Sequence, residues 1–210
     1  MKLQPGDHIC SLYSTRSELV QTAAQFLAEG IDRRQRCWYV TSGDESDSVR
    51  IALQKRGVDV TGEIARGALK LISGEGTYVV HGAFDPEKAI SVFNDAINQA
   101  QSDGYTAFRA AADMSWALDC QDQGRQVIVY EALLKALFAS CRAIGLCLYD
   151  RNRMPLDVID GALATHPKIH SRGQYRENKY YDSSRTGISA TEATRVTAKL
   201  RELDSANGDR

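Results

Sequence analysis

At 210 residues, 43% of them hydrophobic, the chain has enough apolar material for one substantial domain with a buried core and no need of stapling. Its 26 basic and 27 acidic residues leave a formal charge of −1 with no long run of either sign, which argues against a polyanion-binding surface or a membrane-surface patch. The five cysteines are odd in number, scattered and without a CxxC pair, "MKLQPGDHIC" lacks the apolar core of a signal peptide, and no stretch approaches the ~20 apolar residues of a membrane span. The expectation is a cytoplasmic protein with reduced thiols.

Taken in chain order, strand-like and helix-like segments alternate. "HICSLY" (8–13) reads as a first strand and runs through a polar turn into a helix over Ser17 to Glu29, with Leu19, Val20, Ala23, Phe26 and Leu27 at core spacing. "RCWYVTS" (36–42) predicts a second strand, Glu45 to Arg56 a second helix stopped by "RGVD", and "ALKLIS" (68–73) a third strand. Pro86 to Gln101 predicts a helix with Asp85 as N-cap and Pro86 at its first position. "YTAFRAAAD" (105–113) and "AIGLCLYD" (143–150) read as strands around a helix spanning Gln126 to Cys141. Pro155 starts a short helix ending near Ala164, and His166-Pro167 leads into an edge strand or loop. Residues 182–210 lose aromatic content and gain Ser, Thr and charge, so 1–181 is read as the domain and 182–210 as a polar tail with a helix over Thr191 to Leu203. The fold class predicted is α/β, three-layer, with a mostly parallel sheet covered by helices on both faces.

The turn between the first strand and helix is where a nucleotide-binding α/β protein carries its phosphate loop. Such a loop needs glycines, to turn successive N–H groups toward the phosphates, and a lysine. Here it reads "YSTRSE", and no lysine stands between Lys2 and Lys55. Hydrolysis through a P-loop is therefore not expected, although the carboxyl end of a parallel strand remains the place for a ligand crevice.

Two strands end in carboxylates, Asp113 and Asp150. Without a phosphate to bring magnesium, Asp150 reads foremost as a turn residue. Alternation sets Arg109, Ala111 and Asp113 on one side of their strand. Arg109 and Asp113 either pair with each other or anchor the polar groups of a small molecule, with Tyr13, Met114, Trp116, Tyr149 and Asp150 completing the pocket. His8 and Cys10, at i and i+2, point the same way, and with Cys147 and His166 they are candidate ligands for a soft metal. The spacing matches no familiar zinc motif, so satisfied core side chains, and no metal, are the preferred reading. Cys10, Cys37 and Cys147 lie in apolar runs and no GxSxG elbow occurs, so no enzymatic activity is expected. "HSRGQYRENKYY" is too short and isolated for a nucleic-acid strand and reads as an edge element.

Several of these motifs occur together in an order that resembles the MEDS domain, the methanogen/methylotroph DcmR sensory domain. They are "DHICSLYSTRSELVQTAAQFLAEGIDRRQRCWYVT", "FRAAADMSW", "YEALL", "LCLYD", "HP" and "ENKYY", covering roughly residues 5–181. The family's motif positions fall on His8, Cys10, Tyr13 and Glu18, then on Arg109, Asp113, Met114 and Trp116. They continue on Glu131, Cys147, Tyr149, Asp150, His166 and Pro167, and end on Asn178 and Tyr181. The resemblance implies a RecA/KaiC-like core whose P-loop is lost. It further implies a sensor of small molecules, hydrocarbon derivatives among them, and a signalling partner of histidine-kinase, anti-sigma or transcription-regulator type. The tail carries no helix-turn-helix or kinase signature, so output through a partner, and no direct nucleic-acid contact, is expected. The cofactor, the ligand and the oligomeric state are left open. An oligomerisation module without ligand and a residual nucleotide binder are the alternatives.

Overall fold

The computed structural model describes residues 1–41, 45–73, 79–80, 83–120 and 126–182. Gly6, at φ +97°, turns the chain into β1 (His8–Tyr13) while its N–H donates to the Ala143 carbonyl at 2.8 Å. After α1 (Arg16–Asp32) and β2 (Arg36–Thr41) come α2 (Glu45–Lys55), the short α3 (Val60–Ala65) and β3 (Leu69–Ser73). A two-stranded hairpin, β4 (Val79–Val80) and β5 (Ala83–Phe84), precedes α4 (Pro86–Ser102) and β6 (Phe108–Asp113). A 3-10 turn over Met114–Asp119 is followed by α5 (Gln126–Ser140), β7 (Ala143–Asp150), α6 (Leu156–Thr165), β8 (Lys168–Ser171) and β9 (Gln174–Glu177).

Seven strands form one sheet in the order β3-β2-β6-β7-β1-β8-β9, parallel throughout except for the β8–β9 pair. That pair is joined by Arg172-Gly173, both at positive φ (51° and 73°), as a two-residue hairpin turn requires if the strands are to keep their twist. One face of the sheet is covered by α1, α2 and α3, through Leu19, Phe26, Leu27, Val49, Leu53 and Val60. The other is covered by α4, α5 and α6, through Phe93, Ile97, Leu134, Phe138 and Val158. Each such side chain contributes about 1.5–3 kcal/mol by leaving water. This is the predicted three-layer α/β architecture.

The predicted strands and the four longer helices stand where periodicity puts them, with ends shifted by a few residues: β6 starts at Phe108 rather than Tyr105. Besides the two-residue strands β4 and β5, a short helix and a 3-10 turn escape the sequence reading. Asp59 caps α3 through Gly62 N–H at 3.1 Å, and Asp113 caps the 3-10 turn through Ser115 N–H at 3.1 Å. Neither is long enough to show a helical period. The expected helix over Thr191 to Leu203 lies outside the described residues. Among the described residues no helix is long and apolar enough to cross a membrane.

Candidate functional site

β1 ends at Tyr13 and α1 begins at Arg16, so only Ser14 and Thr15 join them. A phosphate loop of the GxxxxGK[ST] type occupies about eight residues, and two cannot curve around a phosphate. The Thr15 hydroxyl accepts from Glu18 N–H at 3.2 Å, and the Glu18 carboxylate accepts from Ser14 N–H at 2.7 Å. This is a capping arrangement in which a carboxylate takes the helix-terminal position where a nucleotide phosphate would need to lie.

Beside this turn, Tyr13 donates its hydroxyl to Asp113 Oδ1 at 2.9 Å, joining the ends of β1 and β6. Asp113 also accepts from the Ser115 hydroxyl at 2.6 Å. Burial holds the Asp113 carboxyl above its usual range, against the opposing pull of these hydrogen bonds. Asp150 lies opposite Tyr13 in the β1–β7 register, and its carboxylate accepts from Asn152 N–H at 2.9 Å, the turn role expected of it. Tyr13, Asp113 and Asp150 thus meet at the carboxyl edge of the sheet.

The remaining members of the predicted pocket do not meet there. Arg109 shares a face with Asp113, as alternation requires, but four residues of strand separate them by about 13 Å. Its fully buried guanidinium lies under α1, donating to Gln35 Oε1 at 2.6 Å and to the Phe26 carbonyl at 3.0 Å, with Glu29 at 3.9 Å. It stacks over the Phe26 ring at 4.4 Å, so neither a ligand-anchoring role at the edge nor a pair with Asp113 describes it. Gly30 makes room for it: a Cβ there would come within 2.5 Å of Arg109 Cδ. Met114, Trp116 and Tyr149 lie in the core on the opposite face, Trp116 against Phe84 with ring centroids 4.5 Å apart. A groove of ≈ 810 Å³ runs along the β3 edge past Trp38, Leu69, Leu71 and Val92, and holds none of the predicted pocket residues.

Three of the four candidate metal-ligating residues do converge, on the face of α5 and α6. His8 of β1, Cys147 of β7 and His166, which follows α6, surround Glu131 of α5, and all four are buried. Glu131 Oε2 lies 3.0 Å from His8 Nε2, 3.3 Å from His166 Nε2 and 3.5 Å from Cys147 Sγ. Sγ is also 3.5 Å from His8 Nε2. Glu131 Oε1 accepts from the Tyr149 hydroxyl at 2.5 Å, and His166 Nδ1 lies 2.7 Å from the Ala162 carbonyl. Cys10 pairs with Cys147 in the strand register but stands outside the group.

Two packing devices hold this cluster. Gly145 admits the Phe138 ring, whose Cε2 would stand 2.1 Å from a Cβ at that position, and Phe138 packs edge-on against His8 at 5.2 Å. Asn178 donates to the Leu163 and His166 carbonyls at 2.7 and 2.8 Å and fixes the turn after α6. Burial, then the neighbouring His166, lowers His8 to about 4. Burial alone would raise Glu131, but the two histidines bring it well below the carboxylate range. Burial, reinforced by Glu131, pushes the Cys147 thiol well up. Glu131 is the member that chemical reasoning from the sequence did not place here. Its signal was a carboxylate within the apolar run "VIVYEALL", which has to find partners when buried.

A KaiC-like protein from the hyperthermophilic archaeon Pyrococcus horikoshii OT3 is similar in structure, with a TM-score of 0.60 at 12% sequence identity, over 83% of this chain and 81% of that one. At that identity the likeness shows the fold, a RecA/KaiC-like core. No curated protein matches the chain. Residues 7–167 match MEDS, the MEthanogen/methylotroph, DcmR Sensory domain, and the chain belongs to that family.

Proposed function

We propose that the protein is a non-catalytic, cytoplasmic sensory domain that binds a small molecule at the carboxyl edge of its sheet and passes the change to a signalling protein. The observation that carries this reading is the β1–α1 turn: two residues and the Glu18 carboxylate stand where a nucleotide-binding relative needs a glycine-rich loop and a lysine. The strand–turn–helix layout is kept while its phosphate chemistry is gone. Tyr13, Asp113 and Asp150 supply a polar edge there, and the Tyr13–Asp113 hydrogen bond links two strands that a ligand could draw together or part. A ligand that breaks or replaces that bond biases one conformation over another, which is what a partner reads. Membership of a sensory-domain family supports the same conclusion.

Thermal-shift screening of the full chain against small hydrocarbon derivatives tests it. Wild type is expected to be stabilised by at least one compound, and Tyr13→Phe and Asp113→Asn to lose that response while keeping the fold. Unchanged responses in both variants would remove the edge from consideration. A second reading, assembly without ligand, has the apolar groove beside β3 in its favour. It predicts a self-associated state, seen by sedimentation, that Trp38→Ala weakens and no small molecule alters.

A further inference from the structure

His166 and Glu131 present a problem of atom placement. Among the described residues, the nearest polar partners of His166 Nδ1 are the Ala162 carbonyl at 2.7 Å, which can only accept, and the Thr165 hydroxyl at 3.2 Å. His166 Nε2 is buried, outside hydrogen-bond geometry, and faces a Glu131 carboxylate oxygen 3.3 Å away. The His8 imidazole and the Cys147 sulfur close around the same point.

The four donor atoms are arranged as they would be around a cation at their focus. Tetrahedral zinc, with bonds of about 2.0–2.3 Å, sets its ligand atoms about 3.3–3.8 Å apart. The close pairs here stand at 3.0, 3.3, 3.5 and 3.5 Å, and all four donor atoms lie within 4.8 Å of one another. Charge agrees with geometry. A carboxylate, a thiolate and two neutral imidazoles neutralise one divalent cation, so no net charge is left in the core. The donor set of two nitrogens, one sulfur and one oxygen suits a borderline metal rather than magnesium or calcium. Two of the four ligands have an outer partner in place: the Ala162 carbonyl orients His166, and the Tyr149 hydroxyl orients Glu131 through its other oxygen, whereas His8 Nδ1 is buried without one.

We infer that His8, Glu131, Cys147 and His166 form a closed, buried site for one zinc-type divalent ion, tying β1, β7, α5 and the turn after α6 together. With all four positions filled by protein, the ion is structural and binds as the domain folds. This goes beyond the sensory reading and is independent of it, since metal uptake is read without any small molecule or partner.

The test unfolds the full chain in denaturant with chelator and reductant, refolds it, and titrates Co²⁺ and then Zn²⁺. Expected are one Co²⁺ per chain, visible bands of tetrahedral intensity, a thiolate-to-cobalt charge-transfer band, and loss of all of these when Zn²⁺ displaces it. Cys147→Ser should remove the charge-transfer band, Cys10→Ala should retain it, and Tyr149→Phe should weaken affinity roughly 10–100-fold. Refolding that succeeds only with metal present also supports the site. A wild-type chain that refolds to native circular dichroism without metal and then takes up neither ion at one equivalent overturns the inference. So does a charge-transfer band that survives in Cys147→Ser.

Discussion

Arg109 shows how much a single side chain can mislead when only its position along a strand is known. Period-two alternation gives the face but not the depth, so Arg109 and Asp113 were legible as neighbours on one side while their ~13 Å separation along β6 was not. Under α1, Arg109 is held by Gln35, the Phe26 carbonyl and the Phe26 ring, with Glu29 as its counter-charge. Arg109→Ala should therefore cost about 2–5 kcal/mol in urea unfolding, the scale for truncating a large buried side chain to alanine. An exposed anchor would cost under about 0.5 kcal/mol. Asp113 gives a pH test. Its folded-state carboxyl, raised by burial, holds its proton to higher pH than the ordinary 3.8 of the unfolded chain. Between these two values the native state binds more protons, so Asp113 lowers stability as pH rises through that window. In Asp113→Asn this loss should vanish, and denaturation midpoints measured across the acid range should fall less, or rise more, with increasing pH than in wild type. An unchanged profile would mean that Asp113 is not shifted.

At the scale of elements, the alternating pattern was sufficient for β1, β2, β3, β6 and β7 and for the helices between them, because each is long enough to show its period. The six-residue α3 and the 3-10 turn are set by single capping aspartates rather than by periodicity, and so were not visible. The cap of α1 carries more meaning than a local one. Thr15→Ala should destabilise the domain by about 1 kcal/mol by thermal unfolding, as loss of an N-cap does. It should not create nucleotide binding, because the turn remains too short. Gly145 is the corresponding point on the other face: Gly145→Ala should cost roughly 1–3 kcal/mol by driving Phe138 away from His8. The cluster around Glu131 was half legible. Alternation put only His8 and Cys10 on one side, with Cys147 and His166 as further candidates, and Glu131 reaches His8, Cys147 and His166 only because α5 packs on β7 and α6, a tertiary fact that no local pattern carries.

For the molecule as a whole, a RecA/KaiC-like core keeps its layers and sheet while its phosphate-binding turn is closed by a cap. The sensory function proposed for it rests on that replacement together with family membership. Native mass spectrometry of the full chain, incubated in parallel with Mg–ATP and with small hydrocarbon derivatives, tests it most directly. The account predicts no stoichiometric nucleotide adduct and a one-to-one complex with at least one small compound, lost in Tyr13→Phe. A stoichiometric ATP complex that turns over to ADP, with no small-molecule complex formed, would contradict it.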